Sequence, residues 1–179
     1  ERIIQALPTI RFLQERGARI ILASHLGRPK GKTRKHFSLE PVAVCLQQLL
    51  EKDIVFADDC VGDGITHLVG ELQDGEILLL ENLRFHSGEE KGDDGFARQL
   101  AVKMDAYVGD AFGAAHRSHA SVTGVVAHVP ESYAGLLMEK EVTSLARIFN
   151  QPTSPFVAVL GGAKVSDKLG MLKKPRRRL

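Results

Sequence analysis

The chain has 179 residues, of which 44% are hydrophobic and 26% charged, and its formal net charge at pH 7 is only +2. This composition suits a globular domain with an adequate core and excludes a polycation, so any preference for anions must come from local clustering. No apolar run approaches the ~20 residues of a membrane-spanning helix, and the start resembles no signal peptide. The cysteines, Cys45 and Cys60, are too few for a disulfide or metal framework, so we expect a cytoplasmic protein.

Helical and strand patterns alternate along the chain. In chain order the sequence predicts a helix at 1–16, a strand at 19–23, a helix that Ser38 caps and that runs to about Leu50, a strand at 54–57, a helix around 63–72, a strand at 77–80, a helix at 96–103, a strand at 106–109, a helix at 135–149 and a strand at 156–160. Segments 24–37 and 86–95 are predicted to be loops, the second solvated. Continuously apolar strands alternating with helices predict an α/β fold in three αβα layers, with a parallel Rossmann-like sheet.

Three of the predicted strands run directly into basic turns. His25 and Arg28 follow the strand at 19–23, Arg84 follows the strand at 77–80, and His116 and Arg117 follow the strand at 106–109. In open α/β sheets, ligands bind beyond the carboxyl ends of parallel strands. The five side chains would therefore form one cationic pocket for a small, multiply charged anion, of which a phosphorylated metabolite is the most plausible.

Each basic turn has a plainer interpretation. The first could be an ordinary basic surface loop, and its cations at 30–36 could suggest nucleic-acid binding, although no aromatic residues interleave with them. Arg84 could simply pair with Glu81 or Glu89. A metal site at His116 and its neighbour three residues on lacks further ligands at a supporting spacing. No Gly-x-Ser-x-Gly elbow supports a serine hydrolase.

A fourth segment, 161–168, couples the predicted strand at 156–160 to the start of a helix. Its glycines, with Lys164 and Lys168, favour phosphate at a helix N-terminus, although it is not a P-loop. The stretch 151–155 before it has the composition of a linker. We therefore expect 1–150 to form one domain and 151–179 to begin a second.

In this order and spacing the segments SHLGRPKG, LLLENLRFH, DAFGAAHRSHAS and LGGAKVSDK resemble the phosphoglycerate kinase family, over essentially the whole chain to about residue 172. The resemblance implies a two-lobed α/β enzyme that moves a phosphoryl group between 1,3-bisphosphoglycerate and ADP, giving 3-phosphoglycerate and ATP. It implies that 1–150 hold the glycerate, and that 151–179 form the hinge and the start of the nucleotide lobe.

The resemblance also implies roles for individual residues. Arg2 would reach the transferred phosphoryl group, Lys168 would contact nucleotide phosphate, and Lys164 is a second nucleotide-binding candidate. Mg²⁺ would accompany ADP or ATP without a ligand from the residues named here. The implied substrate-binding residues are Arg2, His25, Leu26, Gly27, Arg28, Arg84, His116 and Arg117.

The sequence also departs from the family pattern. A first strand with an Arg-x-Asp-Phe-Asn-x-Pro segment is expected before Glu1, most of a nucleotide lobe is expected after Lys174, and the basic stretch 173–178 does not continue the pattern. We therefore expect a truncated chain without kinase turnover, derived from a monomeric enzyme that binds neither nucleic acid nor membranes. The alternative is a non-enzymic module that binds a phosphometabolite.

Overall fold

The structure is a computed structural model that describes residues 1–150, 155 and 157. Segments of 3₁₀- and π-helix join its regular elements. The helices and strands, in chain order, are α1 (Arg2–Gln14), β1 (Ile20–Leu22), α2 (Glu40–Leu50), β2 (Val55–Phe56), α3 (Asp63–Glu71), β3 (Ile77–Leu79), α4 (Ser87–Lys91), α5 (Asp94–Leu100), β4 (Ala106–Gly109), β5 (Glu131–Ala134) and α6 (Leu136–Asn150).

The described strands form two parallel sheets. In the first, β3 lies between β1 and β2, with Ile20 opposite Ile77 and Val55 opposite Leu78. In the second, β4 pairs with β5, from Ala106 opposite Glu131 to Gly109 opposite Ala134. Because the paired strands run in the same direction, each pair brings two carboxyl ends to the same edge of its sheet.

Strand β3 separates two hydrophobic clusters. Side chains alternate along β3 and into the residue after it, so Leu78 and Leu80 pack in one cluster with residues of α3 and α5, while Ile77 and Leu79 pack in the other with residues of α1 and α2. All four side chains are at most 1% exposed. A strand buried on both faces is the centre of a three-layer sandwich, which confirms the predicted αβα fold class.

Most predicted elements agree with the observed bounds to within a few residues, but two segments differ. The predicted solvated loop 86–95 is wrong, because it contains α4 and the start of α5. Gly92 ends α4 in the left-handed conformation, and the Asp93 side chain accepts a hydrogen bond from the backbone of Phe96 to begin α5. The sequence also gave no indication of β5, whose four residues are all exposed.

The start of α2 differs slightly from the prediction. The helix begins at Glu40 after Leu39, and the Ser38 hydroxyl accepts a hydrogen bond from the Glu40 backbone at 3.2 Å. Ser38 therefore satisfies the first N–H of the helix from one position further out than a regular cap.

The chain divides into two compact units, Glu1–Met138 and Glu139–Leu179. All the site residues described below belong to the first. In the second, the structure describes the continuation of α6 and residues 155 and 157, so the predicted strand at 156–160 and most of the predicted linker lie outside the described residues. Among the described helices, none combines the length and the apolarity needed to cross a bilayer.

Candidate functional site

The loop after β1, which carries the first basic turn, is fastened to the end of β3 by Asn82. This side chain is fully buried, and its amide group donates to the carbonyl oxygens of Leu26 and Phe37, each at 2.8 Å. Gly27, between these two anchors, has φ +66°, and a Cβ atom there would lie 2.3 Å from the Phe37 ring. The tight turn therefore requires glycine.

Arg84 joins the second basic turn to the first. The side chain is only 5% exposed, and Nη1 donates to the carbonyl oxygen of Gly27 at 2.8 Å. Nε lies 3.5 Å from the Glu90 carboxylate, within ion-pair distance, but it has no hydrogen-bond partner among the described residues. Since guanidinium carries five N–H donors, Arg84 keeps donors for an anion while its position is fixed.

The two carboxylates that the sequence suggests as ion-pair partners of Arg84, Glu81 and Glu89, bind other groups instead. The Glu81 carboxylate accepts hydrogen bonds from the Ser38 hydroxyl at 2.7 Å and from the Leu39 and Asn82 backbones at 2.8 and 2.7 Å. It is 8% exposed and fixes the far end of the basic loop against the end of β3. The predicted pairing of Arg84 with Glu81 is therefore wrong. The pairing with Glu89 is wrong as well, because that carboxylate accepts hydrogen bonds from Ser121.

The third basic segment follows β4 and is held by Glu89 of α4. Glu89 accepts hydrogen bonds from the Ser121 hydroxyl at 2.6 Å and from the Ser121 backbone at 3.0 Å. The same carboxylate lies 3.4 Å from Nδ1 of His119. Both Glu89 and His119 are buried, so this buried acid orients an imidazole of the third segment.

His25 shows that the basic segments converge. Burial, followed by the positive charges of Arg84, His119, Arg117 and Arg2, lowers its pKa from the usual 6.5 to about 4. The contributing charges belong to α1 and to the second and third basic turns, and they disfavour protonation of the same imidazole in the first. Because all four charges act in the same direction, this region has a positive potential suited to an anion.

Three of the cations predicted from the sequence, Arg2, Arg84 and Arg117, thus act on the same region. His25 lies among them, but the prediction that it is a cation is wrong, because a pKa of about 4 leaves its imidazole neutral at pH 7. The backbone carbonyls of Leu26 and Gly27 accept the hydrogen bonds with which Asn82 and Arg84 clamp the first basic loop. Arg28 and His116 are exposed, and neither makes a side-chain hydrogen bond or ion pair with the residues that the structure describes. Lys164 and Lys168 lie outside the described residues.

Sequence reasoning missed three residues of this site. His119 was weighed only as a metal ligand, although its position beside two predicted cations could have suggested an anion site. Glu89 was weighed only as a partner of Arg84. The contacts by which Asn82 and Glu89 hold the other segments could not be predicted, because those partners lie 32 to 56 residues away in the sequence.

Comparison with known proteins identifies the family. The family model described as "PGK: Phosphoglycerate kinase" matches residues 1–177. The chain belongs to the phosphoglycerate kinase family. It is 56% identical over 174 residues to the phosphoglycerate kinase of Anaeromyxobacter sp. (strain Fw109-5), covering 96% of this chain and 44% of that protein. It is 53% identical over 171 residues to that of Pelotomaculum thermopropionicum, covering 96% and 43%.

Solved phosphoglycerate kinase structures agree with the fold. The structure from Coxiella burnetii has a TM-score of 0.81 at 41% identity and covers 96% of this chain and 42% of its own. The crystal structure from Pyrococcus horikoshii has a TM-score of 0.83 at 36% identity and covers 94% and 42%. The chain therefore spans less than half the length of these relatives.

One group of described residues could be considered for the Mg²⁺ that phosphoryl transfer implies. Ligand atoms of Asp59, Cys60 and His86 lie within 4.8 Å of one another. Mg²⁺, however, prefers octahedral oxygen ligands, whereas Asp59 and His86 hydrogen-bond to each other at 2.5 Å and the buried thiol donates to the Glu81 carbonyl at 2.9 Å. Burial, with the nearby carboxylates, also raises the pKa of Cys60. The group does not fit Mg²⁺.

Proposed function

We propose that this chain is the 3-phosphoglycerate-binding part of a phosphoglycerate kinase, which transfers a phosphoryl group between 1,3-bisphosphoglycerate and ADP in the cytoplasm. The observation that supports this most directly is the buried Arg84 guanidinium, which the Gly27 carbonyl holds in place while Nε has no hydrogen-bond partner among the described residues. A ligand with a phosphate at one end and a carboxyl group at the other matches such a site, since guanidinium groups bind both.

The cations would divide the substrate between them. Arg84, fixed by Gly27, and Arg117 would hold the non-reacting phosphate, with Arg28 and His116 closing over it from exposed positions. Arg2, exposed at the start of α1, would approach the phosphoryl group that is transferred. Phosphoryl transfer depends mainly on alignment and on neutralising charge on the equatorial oxygens, and fixed guanidinium groups provide both.

The nucleotide would be bound elsewhere. We assign Lys164 and Lys168 to ADP or ATP on the family pattern, with Mg²⁺ accompanying the nucleotide and held by residues beyond this chain. The whole enzyme would act as a monomer without nucleic acid or membrane partners. A polypeptide of residues 1–179 would bind 3-phosphoglycerate without turnover, since it spans less than half of its relatives.

Calorimetry with 3-phosphoglycerate tests the binding site. Arg117→Gln removes one charge from the anion site, and the loss of one charge-assisted hydrogen bond should weaken binding by about 10- to 100-fold. Arg98→Gln is the matched control, because Arg98 pairs with Asp94 on the surface of α5 at 3.0 Å. Equal heats for both variants and the wild-type chain would contradict the proposed site.

A coupled assay for ATP formation from 1,3-bisphosphoglycerate tests the absence of turnover. We expect no ATP above background from residues 1–179, even at the protein concentrations used for calorimetry. Measurable turnover would show that this polypeptide is catalytically complete. Binding without turnover would also be the behaviour of a non-enzymic phosphometabolite-binding module, so a longer polypeptide continuing the family pattern should regain activity if the kinase proposal is right.

A further inference from the structure

The short helix α4 touches the first two basic segments at their bases. A Cβ atom on Gly31, at the end of the first basic turn, would lie 2.9 Å from Cβ of Ser87, and the Gly31 backbone donates to the Arg84 carbonyl at 3.1 Å. Three residues further along the helix, the Glu90 carboxylate lies 3.5 Å from Nε of Arg84. The helix therefore packs against both turns.

The same helix also fixes the third basic segment. Gly92, which ends the helix at φ +66°, approaches the Ser118 carbonyl so closely that a Cβ atom would lie 2.5 Å from its oxygen. One turn earlier, Glu89 accepts both the backbone and the hydroxyl hydrogen bonds of Ser121 and faces Nδ1 of His119. All three basic segments thus meet around one short helix.

The burial of Glu89 makes this contact significant. Its side chain is 2% exposed, and a buried carboxylate is tolerated only where charged or hydrogen-bonding partners compensate for the water that it has lost. Both oxygens of Glu89 find those partners in a segment 32 residues further along the chain. A change in the position of that segment would leave the acid without its partners, so the acid holds the segment in one place.

We propose that Glu89 is a positioning residue for the anion site. It acts through Ser121 and His119 to fix the segment that carries His116 and Arg117 opposite Arg84. This inference rests on the proposed function, since the anion is taken to be 3-phosphoglycerate. Glu89 itself does not contact the substrate; it sets the distance between the second and third basic segments.

The first arm of the test compares matched variants by calorimetry with 3-phosphoglycerate. Glu89→Gln keeps the size of the side chain but removes its charge and one acceptor oxygen, and it should weaken binding about tenfold or more. Glu71→Gln is the control, because Glu71 also pairs with a histidine, His67, but on the surface of α3. It should leave affinity unchanged. Ser121→Ala, which removes only the hydroxyl donor, should give a smaller loss and serves if Glu89→Gln does not fold.

A fourth variant separates positioning from general stability. Leu100→Ala opens a cavity in the cluster on the α3 and α5 side of the sheet and should lower the melting temperature without changing affinity for 3-phosphoglycerate at temperatures where the chain is folded. The proposal would be overturned if Leu100→Ala and Glu89→Gln lowered the melting temperature by similar amounts and also weakened the binding of 3-phosphoglycerate equally. A Glu89→Gln chain that binds as tightly as the wild type would also overturn it.

The second arm does not depend on 3-phosphoglycerate. Imidazole ¹H–¹⁵N spectra of the chain alone should show the His119 resonances shifted in Glu89→Gln and unmoved in Glu71→Gln. If the wild-type chain fails to bind 3-phosphoglycerate, the proposed function is wrong, and this arm alone decides whether Glu89 orients the third segment. His119 resonances that remain in place in Glu89→Gln would overturn the positioning role in either case.

Discussion

The substitution Asn82→Asp removes two hydrogen-bond donors from a side chain with no exposed surface. In the wild-type chain the amide nitrogen bridges the Leu26 and Phe37 carbonyls, each at 2.8 Å, while Oδ1 accepts the Arg84 backbone N–H at 3.0 Å. The aspartate keeps the acceptor and nearly the same volume. It replaces the bridging donor by an oxygen that faces two other oxygens, so the clamp on the first basic loop is lost.

The size of the effect follows from these contacts. Leaving one buried acceptor without its donor costs about 1–3 kcal/mol, and two carbonyls are affected. Both bonds are only partly buried, so water can reach the carbonyls once the loop moves, and a total of about 2–4 kcal/mol is the expected loss in the free energy of unfolding. This is a large fraction of the ~5–15 kcal/mol of a typical domain.

Urea denaturation followed by circular dichroism measures this loss, with Asn150→Asp as the matched control at an exposed position near the end of α6. The control should change the free energy of unfolding by less than about 0.5 kcal/mol. The affinity of the folded Asn82→Asp chain for 3-phosphoglycerate should also fall, because the clamp fixes the turn that carries His25 and Arg28. A loss within the range of the control, or unchanged affinity in a destabilised chain, would refute the reasoning.

Three further predictions concern single side chains. Gly27→Ala should lower the free energy of unfolding by about 1–3 kcal/mol, because the residue has a positive φ and the new Cβ would clash with the Phe37 ring. A free energy of unfolding equal to that of the wild type in urea denaturation would contradict this. The His25 resonance should titrate near pH 4, and since the unfolded chain binds more protons between pH 4 and 6.5, stability should fall as the pH is lowered through that window. A midpoint near 6.5 would exclude the convergence of cations. A thiol reagent should label the partly exposed Cys45 in the native chain and Cys60, which is 2% exposed, only on unfolding; equal rates would contradict this burial.

The sheet and the three basic turns could be predicted because their signals are local. Four consecutive apolar residues from Ile77 to Leu80 indicate a strand buried on both faces wherever the rest of the chain lies. The cations that follow each strand are adjacent to it in sequence, so the pairing of β1 with β3 is enough to bring the first two basic turns to one edge. Arg117 follows β4, which belongs to the second sheet, so its approach to Arg84 does not follow from sheet topology alone.

The parts that could not be predicted depend on distant partners. Segment 86–95 is rich in glycine and acidic residues, and by composition it is typical of a solvated loop. It forms α4 because Glu89 finds its partners after β4. Likewise β5 has four exposed residues and no apolar pattern, so its extended backbone is set by pairing with β4 rather than by burial of its own side chains.

The division of the acidic residues around Arg84 explains how a chain of low net charge keeps a buried guanidinium without a buried acidic partner. Glu81 is engaged by the loop before α2, and Glu89 is engaged by the third basic segment. Among the residues that the structure describes, only Glu90 forms an ion pair with the guanidinium, at 3.5 Å from Nε and with its own side chain 39% exposed, where solvent weakens the pair. The two buried carboxylates thus position the cations without neutralising Arg84, and the positive potential around His25 is the consequence.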